Sequence, residues 1–149
     1  PSSGTGLGMT NTYYAAYTRL QTNKNPSFKC TSESDLYTTS ESTNGNKALQ
    51  YPIGLISADE AAYAGGVAST NNTSYYLYAG QNYWTMSPCS FMHNSVPGVF
   101  VMEVNYGINP TWSVDTVSSG GIRPVINLKG DLTITGSGTT TDPYRVEGA

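Results

Sequence analysis

Charge is what this sequence has least of. Only 11% of its 149 residues are Asp, Glu, Lys or Arg, against roughly 25% in an average soluble protein. Helical bundles and coiled coils are rich in Lys, Glu and Leu, so this composition excludes them. The formal net charge is −3, which leaves no electrostatic footprint for nucleic acid. Long apolar runs are missing too, and no stretch approaches the roughly 20 residues of a membrane-spanning helix. Histidine occurs once and cysteine twice. No ligands cluster around His93 at metal-binding spacing. No serine sits in a GxSxG elbow, and no Walker A loop or EF-hand spacing is present. The expectation is therefore no metal, no cofactor and no enzymatic activity.

Three catalytic alternatives stand against that expectation. A Ser-His-acid triad would need His93 as its base. Cys89 lies four residues from His93, but Pro88 and a turn argue against a dyad. Glycosidase carboxylates are distant in sequence, so a cryptic hydrolase stays as an alternative. Glu103 and Asp115, brought together across neighbouring strands, are the pair it would use.

What the sequence does have is Ser, Thr and Asn, 48 residues in all, with 12 Tyr and 16 Gly. That mixture suits β-rich extracellular domains. Tyr supplies a large contact area with only two side-chain torsions to freeze. Cys30 and Cys89 are compatible with a disulfide in an oxidising compartment, with buried thiols, or with a pairing to another segment. The chain opens on Pro1 without a signal-peptide pattern, as expected of a mature or trimmed fragment that has lost an export signal or anchor.

Residues 1–8 (PSSGTGLG) read as a flexible start, and 9–149 as one domain. Tyr13, Ala16, Tyr17 and Leu20 fall at helical spacing and predict a short helix within Met9 to Gln21. Asn44-Gly45 marks a turn, and Leu49 to Ile56 is apolar and extended. Ser57 to Glu60 (SADE) spells a capping box ahead of Ala61, Ala62, Tyr63 and Ala64, and Gly65-Gly66 ends the helix. Asp59 and Glu60 suit the positive end of that helix. Strands are predicted at Ser74 to Tyr78, Tyr83 to Ser87 (closed by Pro88), Gly98 to Asn105 and Thr111 to Val117. Ile122 to Leu128 is apolar enough for a central strand, with Pro124 needing a bulge or an edge position. Leu132 to Thr135 and Tyr144 to Glu147 predict two strands joined by a Gly/Thr-rich loop. The sum is α+β: a small helical N-terminal half and an antiparallel β-rich C-terminal half.

Four segments together carry a resemblance: YPIGLISADEAAYAGG (51–66), YWTMSP (83–88), GIRPVINLK (121–129) and GSGTTTDPYRV (136–146). The chain from about Leu20 onward resembles a family of surface domains of gut Gram-positive bacteria, often carried behind a prepilin-type N-terminal helix. That resemblance implies an extracellular, cell-surface or pilus location and attachment through an N-terminal segment absent from this sequence. It also implies a cysteine ahead of Cys30, which this sequence does not have. A Trp-x-x-Ser strand followed by a Gly-x-Arg strand is similar to the C-type-lectin-like fold of formylglycine-generating-enzyme-like domains. The Glu-Pro-Asn and Trp-Asn-Asp calcium motifs of true C-type lectins do not occur. Neither Ca²⁺-dependent sugar binding nor a reactive cysteine pair carries over.

Tyr83, Trp84, Met86, Val125, Ile126 and Leu128 then read as scaffold, and Arg123 as a structural anchor. The stretch from 89 to 115 differs in character. Cys89, Ser90, Phe91, His93, Asn94, Glu103, Asn105, Tyr106, Asn109, Trp112 and Asp115 form the candidate ligand-binding set. Exposed aromatic rings desolvate readily, and amides both donate and accept. This placement also resembles the diversity-generating retroelement proteins, whose lectin-like scaffold displays residues altered by adenine mutagenesis. All but Glu103 and Trp112 in that set are residues such mutagenesis of AAY codons can produce; those two and Met92 would be fixed. The expected function is recognition of an extracellular protein or glycan, with no nucleic-acid partner. The alternative is a pilin headgroup that only packs in a fibre.

Overall fold

The computed structural model describes residues 12–29, 36–38, 43–45, 47–51, 53–91, 97–103, 107–113 and 120–147, with side chains from 97 to 113 described only at 107–109. Its centre is a four-stranded antiparallel sheet that contains the longest described strand. Strand β1 (Thr12–Tyr13) pairs with β3 (Tyr83–Phe91). Strand β3 pairs with β4 (Pro97–Glu103), and β4 with β5 (Gly107–Ser113). Two small ladders stand beside it. Strand β2 (Gly54–Leu55) pairs with β6 (Pro124–Val125), and β7 (Ile134–Thr135) with β8 (Arg145–Val146), all antiparallel. Two short helices complete a mixed α+β chain.

Helix α1 (Ala15–Tyr17) runs on as a π-helical turn over Thr18–Thr22 and buries Ala16 and Leu20. The spacing of 16 and 20 was legible in the sequence. The helix nevertheless starts later than its periodicity suggests, because Thr12 and Tyr13 are drawn into the sheet opposite Phe91 and Ser90. Helix α2 (Ala58–Tyr63) has both halves of its capping box. The Glu60 amide donates to Ser57 Oγ at 3.1 Å, and the Ser57 amide donates to the Glu60 carboxylate at 2.7 Å. At its far end the Gly66 amide reaches Ala61 O and the Gly65 amide reaches Ala62 O, a complete Schellman pair. Gly65 has φ +106°, and a Cβ there would stand 2.9 Å from Tyr75 Cβ. Glycine is thus required both for the turn and for the close approach.

The core lies between the helices and one face of β3. Along β3 the side chains of Tyr83, Thr85, Ser87 and Cys89 point inward and those of Met86 and Pro88 outward, the period-2 alternation of a strand. The helices meet that face through alanines: Ala58 and Ala61 are fully buried, beside Leu20, Tyr75 and Ile108. Small side chains let helix and sheet approach closely. The buried serine is satisfied, because the Ala58 amide at the start of α2 donates to Ser87 Oγ at 2.9 Å. Arg19 ties the helices together through a two-pronged contact with buried Asp59, at 3.0 and 2.8 Å, and the Ser27 amide donates to the same carboxylate. Asp59 is therefore more than a helix-end charge.

Several expectations change. Residues 74–78 form a turn rather than a strand. Asn72 accepts from the Ser74 amide and donates to Gly65 O, and this bend delivers Tyr75 to the core while Tyr76 stays in solvent. Strand β3 does not stop at Ser87 but passes through Pro88 to Phe91. The missing proline N–H falls where the register with β4 shifts on either side of Pro88. Residues 122–128 are not a central strand, since only Pro124 and Val125 pair, and Ile122, Ile126 and Leu128 are exposed. Of the expected scaffold, Tyr83 is buried, Trp84 and Val125 are half-buried, and Met86, Ile126 and Leu128 face solvent. Residues 1–8 and Cys30 lie outside the described residues.

Candidate functional site

The sheet register decides which of the candidate residues can act together. Phe91 stands opposite Pro97, Gly98 opposite Ser113, and Val99 opposite Trp112. Phe91 and Trp112 therefore sit at one end of the β3–β4–β5 sheet. The segment 92–96, which carries His93 and Asn94, joins β3 to β4 at that end. Glu103 stands opposite Gly107 at the other end, and Asn109 pairs with Val101 close by. Along β4 the separation runs from two residues, between the partners of Trp112 and Asn109, to six, between Pro97 opposite Phe91 and Glu103, about 7–20 Å. What reads as one stretch in the sequence is spread along a sheet, with Phe91 and Glu103 at opposite ends and Asn109 between them. His93, Asn94, Asn105, Tyr106 and Asp115 themselves lie outside the described residues.

Two candidates leave the set. Cys89 is 0% exposed and Ser90 2% exposed; Cys89 continues the inward alternation of β3, and Ser90 stands between Tyr13 of β1 and Gly98 of β4. The Cys89 Sγ and Ser90 Oγ lie 3.3 Å apart in a hydrogen bond. Burial pushes the Cys89 thiol above its ordinary range, which opposes thiolate chemistry. Phe91, the next residue, is half-buried and so retains a face for contact. Of the carboxylates of the hydrolase alternative, Glu103 stands opposite Gly107, and Asp115 lies outside the described residues. Among the described residues, no three of His, Cys, Asp and Glu gather as a cation site requires.

The end of the sheet near Gly107 is held by backbone packing. The Ser69 amide donates to Ile108 O, and the Ile108 amide to Val67 O, so the 67–70 turn covers the start of β5. Gly107, at φ +64°, lies against the carbonyls of Val67 and Thr70, where a Cβ would collide. Lys24 donates to Ala68 O at 2.8 Å beside a cleft of about 200 Å³ lined by Leu20, Pro26, Val67 and Ile108. No family model, curated protein or solved structure matches this chain.

Sequence reasoning missed a second polar assembly, at the root of β6. Buried Tyr83 hydrogen-bonds with the Tyr75 hydroxyl at 3.2 Å and donates to Leu77 O at 3.3 Å. Arg123 donates to the same carbonyl at 3.0 Å, with its guanidinium carbon 4.8 Å from the Tyr83 ring centre. This geometry agrees with the reading of Arg123 as an anchor. Burial, then the hydrogen bond with Tyr83, push the Tyr75 phenol far above its ordinary value. A cleft of about 170 Å³ opens beside them, lined by Ile56, Leu77, Pro124 and Val125. No local motif announces this cluster, because 46 residues separate Arg123 from Leu77.

Proposed function

We propose that this chain is an extracellular, non-enzymatic recognition domain of a bacterial surface or pilin-like protein, built on a C-type-lectin-like scaffold. Its ligand is a protein or glycan outside the cell. The contact surface is the end of the sheet that carries Phe91, the 92–96 connection with His93 and Asn94, and Trp112. The observation that supports the reading is the register: Phe91–Pro97 and Val99–Trp112 bring two aromatic positions and a polar connection to one end of a rigid sheet. Rigid aromatic anchors beside adaptable amides are the composition of a recognition surface. A strand scaffold joined by variable connections also suits retroelement diversification, because side chains at a connection change without disturbing the core.

Glycan and host-protein arrays probed with two cluster variants test this proposal. One variant carries alanine at Phe91, His93, Asn94 and Trp112, and the other at Glu103, Asn105, Tyr106 and Asn109. The first is expected to lose the wild-type signal while remaining folded by circular dichroism, and the second to keep it. Loss in the second variant alone moves the site to the Gly107 end. Silence of the wild type on both arrays overturns the proposal.

A further inference from the structure

The cleft beside Tyr83 lies between segments that are each tied to the sheet or to one another. The Met86 amide donates to Ile56 O at 3.0 Å. The Trp84 amide donates to Gly121 O at 3.0 Å, and the Gly121 amide to Asn82 O at 2.8 Å. Just beyond, β6 pairs with β2 through Leu55–Pro124 and Gly54–Val125. Backbone pairing therefore sets the positions of Ile56, Pro124 and Val125, and the cleft of about 170 Å³ between them is formed in advance. Its lining is apolar at Ile56, Leu77, Pro124 and Val125, and buried Tyr83 completes that side.

One charge lines the cleft. Arg123 is fixed at two points: Nη1 donates to Leu77 O at 3.0 Å, and the guanidinium carbon stands 4.8 Å from the Tyr83 ring centre. The Tyr83 hydroxyl is already engaged by Tyr75 and Leu77 O. The Nε and Nη2 edge of Arg123 differs. Among the described residues no carboxylate pairs with it, and the ion pairs are Arg19–Asp59 and Arg145–Asp142. Arg19 shows what such an edge takes, since its Nε and Nη2 hold the two oxygens of Asp59 at 3.0 and 2.8 Å. A guanidinium presents this fork in one plane, matched to a carboxylate. The Tyr83 ring and the Leu77 bond orient that plane in Arg123 beforehand, which lowers the ordering cost of binding.

We infer that this cleft is a binding site for a small apolar carboxylate. The two carboxylate oxygens take the Nε and Nη2 donors of Arg123, and the hydrocarbon part lies against Ile56, Leu77 and Val125. Volume sets the size. An apolar cavity of about 150 Å³ holds one benzene ring, so this cleft takes a ring or a branched chain of about six carbons. Arg123 is exposed, and an exposed ion pair contributes little alone. Affinity then comes from burying the hydrocarbon, and the fork selects the head group. Neither half of the ligand suffices without the other. The site is separate from the Phe91–Trp112 end, because Tyr83 opens β3 and Phe91 closes it. It goes beyond the proposed recognition surface and stands or falls independently of it.

Titration of the full chain, followed through its amide chemical shifts, tests the inference with phenylacetate, phenylacetamide and acetate as probes. Phenylacetate is expected to bind with a Kd of about 1 mM or below. It should shift the amides of Ile56, Leu77, Arg123 and Val125 and leave that of Phe91 unmoved. Phenylacetamide keeps the ring without the charge, and acetate keeps the charge without the ring. Each is expected to bind at least tenfold more weakly. Arg123→Gln removes the fork and is expected to lose at least tenfold for phenylacetate while leaving phenylacetamide unchanged. The probe comparison on the wild type decides the same point without the variant. Shifts that stay unmoved up to about 10 mM phenylacetate overturn the inference. So does phenylacetamide binding as tightly as phenylacetate, an Arg123→Gln variant that binds phenylacetate undiminished, or shifts centred away from the cleft.

Discussion

Tyr75 and Tyr83 share a buried hydrogen bond, and its consequences are measurable at high pH. Burial raises the Tyr75 phenol above its ordinary value of 10.0 in the folded chain only. Below that value both states keep the proton, and the contribution to stability is complete. Above it the unfolded chain releases the proton while the folded chain holds it, so stability falls as pH rises. Urea melts of wild type and Tyr75→Phe should show the variant weaker by about 1 kcal/mol at pH 7, with the gap narrowing above pH 10. An unchanged gap would mean that Tyr75 ionises as readily in the folded chain. Asp59 is a second case at this scale. Asp59→Asn leaves Arg19 without its two-pronged partner, and because Arg19 is part-exposed the expected loss is roughly 2 kcal/mol rather than the full cost of a buried pair. A urea midpoint equal to wild type would contradict the structural role. Neither interaction was legible in the sequence. Each joins residues brought together only by tertiary folding, and the composition around Asp59 already had a sufficient local explanation in the helix end.

At the scale of elements, local chemistry was read most accurately where the chain decides for itself. Helix α2 is specified within ten residues, from Ser57 through Glu60 to Gly65-Gly66, and both of its ends form as the side chains require. Gly65→Ala should cost about 1–3 kcal/mol, since it adds left-handed strain and a Cβ against Tyr75. Differential scanning calorimetry that finds no loss would show that the turn has another solution. The hairpin of β7 and β8 was legible for the same reason, although it shortens to two residues per strand. Elements whose fate depends on distant partners were read less well. Tyr and Leu at 75–78 suit a strand, but Asn72 and the Schellman turn commit the backbone to a bend. Pro88 looked like a stop, yet a shifted register with β4 absorbs it. The 122–128 segment has the apolar content of a central strand. Only Pro124 and Val125 of it pair, and Ile122, Ile126 and Leu128 stay in solvent.

For the molecule as a whole, composition pointed correctly to a mixed α+β chain of antiparallel strands. It left the location of the candidate site too coarse. A set spanning 89–115 covers two connections and three strands, and strand pairing sends successive connections to opposite ends. The inward turn of Cys89 follows from parity, because the odd-numbered residues of β3 up to Cys89 line the core, whereas Ser90 is buried where that alternation breaks. One end of the sheet is thereby reserved for packing of the 67–70 turn against Gly107. The opposite end has Phe91 and Trp112 flanking the 92–96 connection.

Hydrogen–deuterium exchange on the domain, with and without its strongest array partner, tests the central claim most directly. Recognition at the Phe91–Trp112 end predicts slowed exchange in peptides covering 90–99 and 111–113, with 103–109 and 122–128 unchanged. Protection centred on 103–109, with 90–99 unaffected, would contradict it.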